Sequence, residues 1–461
     1  MIQIKKFPAG WALLLAVLVA PNVLADPEAQ LITYDAEGGA TYFALSLTPA
    51  SDQAAEASDV VILFDTSASQ TGAYRETAFA ALEAAVAKLR PQDRVQLLAA
   101  DLDARSLADK PLPAGSGELR AAIARLRGEL PLGSTDMEGV LNAAASKFES
   151  GAKTNRTILY IGDGMSTANL LGTDGFRELV EKLRKARISV NSYALGPRRD
   201  AALLAAIANQ TGGNLYVDEP MALADDAAGI SVDRANEENR RRGAKIGERL
   251  ADWTQATVVW PQQVSLPSEL GEVLPKQMPP LRSDRDTVVF GVAGKPLATP
   301  LAIHMKAEIA DEPADLTWAA TPSASDDSYA YLVQVVDGAR ADGGLATPAI
   351  GLAGLAETGR VLEHGLEEMT QFAERAVATG DITSAHLMSQ AVLRRDPGNL
   401  QAKTVQHVVE RRAAPAASET SGNDLNLVRT AQLPAMPPQT VPIEESPSPV
   451  EGALVDQFSQ S

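Results

Sequence analysis

What most constrains the fold of this chain is a regular alternation, between residues 58 and 230, of short apolar runs with Ala-rich, helix-like stretches. The runs are Val60-Val61-Ile62-Leu63-Phe64, Arg94 to Ala100, Thr157 to Gly162, Ile188 to Ala194 and Leu215-Tyr216-Val217. An unbroken apolar run rich in β-branched residues is the pattern of a strand buried on both faces. The stretches between them, Arg75 to Leu89, Glu118 to Arg127, Met137 to Phe148, Phe176 to Ala186 and Ala201 to Gln210, place apolar residues at helical spacing. Strand and helix in this alternation predict a doubly wound, mostly parallel, Rossmann-like α/β sheet with helices on both faces.

The flanks have a different character. Residues 1–25 read as a secretory signal. Lys5 and Lys6 form a basic start, Trp11 to Ala20 an apolar core too short to span a bilayer, and Val23-Leu24-Ala25 a cleavage context. No later stretch has the length and apolarity of a membrane helix, so the expected location is exported: periplasmic, cell-surface or secreted. Residues 26–57 read as a hairpin, Leu31–Tyr34 with Tyr42–Leu47, and a small-residue linker. Residues 231–345 read as a charged helix, Asn236 to Leu250, followed by a small antiparallel β domain whose last strand is expected over Tyr329 to Val336. Residues 350–412 read as consecutive helices punctuated by Asp396-Pro397-Gly398-Asn399. Their alternation of Ala and bulky residues resembles one tetratricopeptide-type (TPR-like) unit. Residues 413–461, rich in Pro, Ser and Glu, read as a disordered tail.

The chemistry concentrates where the first strand ends. Asp65-Thr66-Ser67-Ala68-Ser69 offers one carboxylate and two hydroxyls at the carboxyl end of a strand, where open α/β sheets bind ligands. Thr135 precedes a helix, and Asp163 follows the Thr157–Gly162 strand. These are all oxygen donors, the set that suits a hard divalent cation such as Mg²⁺. Each also has an ordinary structural reading. Ser67-x-x-Gln70 and Thr135-x-x-Glu138 fit helix-capping boxes, and Asp163-Gly164 fits a turn.

Taken together, Asp-x-Ser-x-Ser, the Thr and the second Asp, in this order, resemble the von Willebrand factor A (VWA) domain and its metal-ion-dependent adhesion site. The resemblance covers roughly residues 58 to 220. It implies that Asp65, Ser67, Ser69, Thr135 and Asp163 hold Mg²⁺, or Mn²⁺ or Ca²⁺ in its place. It also implies a protein ligand that presents an Asp or Glu to the ion, and hence an exported, bacterial-type binding or adhesion module. The alternative is an extracytoplasmic scaffold whose ion is structural and whose helical segment and tail recruit partners.

Other classes are disfavoured. A formal net charge of −18 argues against a nucleic-acid partner, which needs clustered Lys and Arg. The absence of Cys excludes disulfides and a lipidated cysteine. None of the four His has zinc-site spacing. A phosphatase of the haloacid dehalogenase type needs a second Asp where Ser67 stands, so no acid–base partner serves Asp65 as a nucleophile, and no enzyme is expected. Arg240-Arg241-Arg242 reads as a solvated helix face.

Overall fold

The computed structural model describes residues 28–50, 56–149, 154–221, 231–297, 299–396 and 398–413. The secretory segment expected at 1–25 lies outside them, as does the tail expected to be disordered beyond residue 413.

The chain begins with a hairpin, β1 (Glu28–Asp35) and β2 (Thr41–Thr48), paired antiparallel. Next comes β3 (Ser58–Asp65), buried at every position. The α/β region continues through α1 (Gly72–Lys88), β4 (Arg94–Ala100), β5 (Ala104–Ser106), β6 (Leu112–Pro113), α2 (Gly117–Gly128) and α3 (Met137–Ala145). It is completed by β7 (Asn155–Gly162), α4 (Thr173–Lys185), β8 (Ile188–Ala194), α5 (Ala201–Thr211), β9 (Leu215–Val217) and α6 (Val232–Gln255). The strands run parallel in the order β4-β3-β7-β8-β9, while β5 and β6 pair antiparallel with β4, which makes the sheet mixed but mostly parallel.

Successive residues of a strand point to opposite faces, and the sheet uses both. Val60, Ile62 and Phe64 pack with residues of α1, α2 and α6, whereas Val61 and Leu63 pack with residues of α3, α4 and α5. The charged helix expected to open the β region therefore contributes to the α/β layer. Gly243 and Gly247 let α6 lie against the backbone of α1, and a β-carbon at 247 would stand 2.2 Å from the carbonyl oxygen of Ala81. Within its Arg triplet, Arg240 and Arg241 pair with Glu237 at the surface. Arg242 instead turns inward to the buried Asp218 at 3.0 Å, so the triplet is only in part a solvated face.

The rest of the chain forms a two-sheet sandwich with helices. Its strands are β10 (Val258–Ser265), β11 (Glu272–Leu274), β12 (Leu281–Arg282), β13 (Thr287–Val292), β14 (Leu301–Ile309) and β15 (Glu312–Ala320). One antiparallel sheet has the order β1-β2-β13-β11, the other β12-β10-β14-β15. Leu31, Phe43, Leu45 and Leu47 of the first pack with Ile303, Met305 and Trp318 of the second, and the Trp318 indole N–H donates to the Thr48 carbonyl at 2.9 Å. The N-terminal hairpin is thus part of the later β region.

Four helices follow: α7 (Tyr331–Ala339), α8 (Gly351–Thr379), α9 (Ile382–Arg395) and α10 (Leu400–Ala413). The strand expected over Tyr329 to Val336 is corrected to a short 3-10 turn and α7. Leu332, Val335, Val336 and Ala339 recur at helical spacing and cover Ile32, Ala44 and Phe290 on the outer face of the first sheet.

The sandwich meets the α/β region at its Gly212-Gly213 end. Arg282, fully buried, donates to the carbonyls of Gly212 at 2.9 Å and Trp253 at 3.1 Å, and both arms of its guanidinium reach Asp284. Arg187 at the end of α4 pairs with Asp311 and Glu308 around the β14–β15 turn.

Candidate functional site

In the order β4-β3-β7, the chain leaves β3 towards one neighbour and later returns as the other. A crevice opens at the carboxyl ends on either side of such a reversal, and ligands of open α/β sheets bind there. Asp65 ends β3 and Asp163 immediately follows β7. The loop carrying Thr135 is laced to the β3 loop by Ala68 N–H to Gly133 O at 3.2 Å and Leu132 N–H to Thr66 O at 2.9 Å. The sheet topology therefore brings all five sequence-predicted residues to one rim.

Their side chains interlock. Asp65 Oδ1 accepts from Ser67 N–H at 2.8 Å and from the Thr135 hydroxyl at 3.4 Å. Its Oδ2 accepts from Tyr160 O–H at 2.8 Å. Ser67 and Ser69 hydroxyls lie 3.0 Å apart, and Ser69 donates to Asp163 Oδ2 at 2.5 Å. The other oxygen of Asp163 accepts from Met165 N–H at 2.9 Å.

The hydroxyls are not helix caps. The N-cap of α1 is Thr71, and that of α3 is Asp136, whose carboxylate accepts from Gly139 N–H at 3.0 Å. The capping-box readings of Ser67 and Thr135 are thereby corrected.

Electrostatically the rim is acidic and undercompensated. Burial first, and then the neighbouring Asp163, push the Asp65 carboxyl from its ordinary 3.8 up to about 6. Burial also raises Asp163, against the pull of its hydrogen bonds and of Arg198. Among the described residues neither carboxylate forms an ion pair, and no three His, Cys, Asp or Glu side chains converge as a metal-binding group. The donors on the rim are two carboxylates and three hydroxyls. Beside them lies a cleft of about 190 Å³ lined by Ser67, Ser69, Gly133, Asp163, Thr167 and Arg198, among others.

Sequence reasoning missed Tyr160 and Gly162. Tyr160 O–H also accepts from Gly164 N–H at 3.0 Å, and so bridges the two acidic loops. At Gly162 a β-carbon would fall 2.4 Å from that of Asp65, so only glycine admits the carboxylate there. Neither role carries a local motif, because both depend on β3 and β7 being neighbours.

An α/β domain with a mixed sheet and an oxygen-rich rim at its reversal point is thus the class that the structure defines. Residues 58–217, roughly a third of the chain, match the family model described as von Willebrand factor type A domain. This segment is a VWA-type domain, and its expected role is protein interaction or scaffolding. Among solved structures, the chain is similar to a von Willebrand factor type A protein from Catenulispora acidiphila, with 16% identity, 83% of this chain and 89% of that one covered, and a TM-score of 0.41. It is also similar to the ArnB paralog VWA2 from Sulfolobus acidocaldarius, with 14% identity, 84% and 92% covered, and a TM-score of 0.40. A search of curated proteins finds no match. No helix of the described residues is long and apolar enough to cross a membrane.

Proposed function

We propose that this protein is an exported binding module that engages a protein ligand through a divalent ion held by Asp65, Ser67, Ser69, Thr135 and Asp163. One observation carries the reading: two buried carboxylates face one rim and, among the described residues, neither forms an ion pair. Buried charge is retained only when it is compensated. Two carboxylates formally neutralise Mg²⁺, Mn²⁺ or Ca²⁺, and hydroxyls are suitable neutral partners for such ions. When bound, the ion supplies a Lewis-acidic contact for one further oxygen, that of a partner's Asp or Glu. The chain's own part is to hold the donors. Tyr160 and Ser67 N–H orient Asp65, Met165 N–H orients Asp163, and Ser67, Ser69 and Thr135 need not serve as helix caps.

The module is non-enzymatic in this reading, because Ser67 stands where an acid–base carboxylate would be needed. Export rests on the basic start, short apolar core and small-residue site of residues 1–25. A second reading, a scaffold with a structural ion, draws support from Phe372 on α8 and Leu387 on α9, both large, apolar and exposed.

Titration calorimetry of the full chain with Mg²⁺ and Mn²⁺ tests the proposal. Binding in the wild type, lost in Asp65→Ala with the circular dichroism spectrum unchanged, is expected. No binding by the wild type at millimolar ion overturns it. If the fold is lost with the ion, the scaffold reading takes its place.

A further inference from the structure

A cation stands at the mouth of this acidic cleft without an acid of its own. Arg198 lines the cleft beside Ser67, Ser69 and Asp163 and is exposed. Among the described residues its guanidinium forms no ion pair and no hydrogen bond.

The loop that carries it, between β8 and α5, is tied down on both sides of Arg198. Before it, Leu195 N–H donates to Gly162 O at 3.0 Å, and Gln70 Nε2, from the segment after β3, donates to Leu195 O at 3.2 Å. After it, Asp200 N–H donates to Asp163 O at 2.8 Å. Gly196, at φ +146°, lets the loop pass so close that a β-carbon there would lie 2.9 Å from that of Asp163. Pro197 fixes the next φ through its ring. Arg198 is therefore carried on backbone anchored to the loops that hold the two acids.

The acids nearby are already engaged. Both oxygens of Asp163 accept from neutral donors, Ser69 O–H and Met165 N–H, and those of Asp65 from Ser67, Thr135 and Tyr160. Asp200 accepts from Leu203 N–H at 2.9 Å as the N-cap of α5. The adjacent Arg199 has a different task, donating to the Asp218 carbonyl at 2.6 Å. Arg198 keeps its planar fork of N–H donors for an acid from outside the chain, and a carboxylate is the group that matches such a fork.

We infer that Arg198 is a specificity-determining residue of this site, donating to one oxygen of the partner's carboxylate while the other oxygen faces the ion. The inference rests on the divalent-ion reading and adds the residue that reads the ligand. An Asn or Gln side chain would present an NH₂ group in place of the second oxygen, and that group cannot accept from a guanidinium. The two parts of the site respond to Arg198 with opposite sign. Its charge repels the ion and attracts the carboxylate.

The test uses the full chain in excess over Mn²⁺, with acetate and acetamide as probes whose methyl-proton relaxation reports approach to the bound ion. The wild type is expected to bind acetate more tightly than acetamide. Arg198→Gln is expected to lower acetate affinity roughly tenfold, to leave acetamide unchanged, and to bind Mn²⁺ as tightly as the wild type or more so. Absence of Mn²⁺ binding by the wild type brings down the divalent-ion reading and this inference with it. Mn²⁺ binding without relaxation of acetate leaves the ion in place, removes the carboxylate ligand and overturns the inference. Where the wild type binds both Mn²⁺ and acetate, either of two results in Arg198→Gln overturns this inference alone: acetate affinity equal to the wild type's, or a fall in Mn²⁺ affinity, which would make Arg198 a support of the ion site instead.

Discussion

Asp65 sits where its charge is costly, and this has a sign that can be measured. Its carboxyl titrates near 6 in the folded ion-free chain and near 3.8 when unfolded. Between those values the folded state binds more protons, so its stability falls as pH rises from about 4 to 6 and is flat above. The size of the fall is on the order of 2–3 kcal/mol. In Asp65→Asn this part of the pH dependence disappears, and the ion-free variant is expected to outlast the wild type in urea at pH 7.5. A wild-type stability that instead rises through the same window contradicts this. The five oxygen donors were legible in the sequence because each stands next to a strand end or helix start that local pattern reveals. Tyr160 and Gly162 were not, since a tyrosine and a glycine in a buried run look like core until the neighbouring strand is known.

Among elements, the parallel strands were the most readable, because burial on both faces writes itself as an unbroken apolar run. The helix α7 was not, because Val333, Val335 and Val336 favour a strand by type. The spacing of Leu332, Val335, Val336 and Ala339 fits a helix, and packing on the outer face of the first sheet decided for it. The placement of α6 turned on glycines rather than on its charges. Gly243 and Gly247 lie one turn apart on α6, and each lets its backbone approach that of α1. Gly247→Val forces the two helices apart and is expected to destabilise the protein by about 1–3 kcal/mol. The same substitution at Gly365 of α8, where a β-carbon meets nothing within 4 Å, serves as the control in thermal melts. Equal melting temperatures for the two variants would remove the close approach as an explanation.

For the molecule as a whole, the joint between the α/β region and the sandwich depends on buried arginine. Arg282 satisfies carbonyls from the α5–β9 turn and from the end of α6, while its own strand belongs to the second sheet. Arg282→Met leaves both carbonyls without this donor, at a cost of roughly 2–4 kcal/mol. Scanning calorimetry is expected to show one transition for the wild type and two for the variant, and one sharp transition in the variant would show that the regions are coupled elsewhere. The connectivity has a consequence for the order of events. The Ser46 hydroxyl meets Asp286 across 240 positions of sequence, and β2 finds its partner β13 only at that distance. Closing so long an unstructured loop costs about 5 kcal/mol before any contact forms. Once the intervening α/β region has folded, its two ends are held at a fixed, short separation and most of that entropy is already spent. The opening hairpin is therefore expected to stay unpaired at one edge until the middle of the chain folds and delivers the strand that completes its sheet.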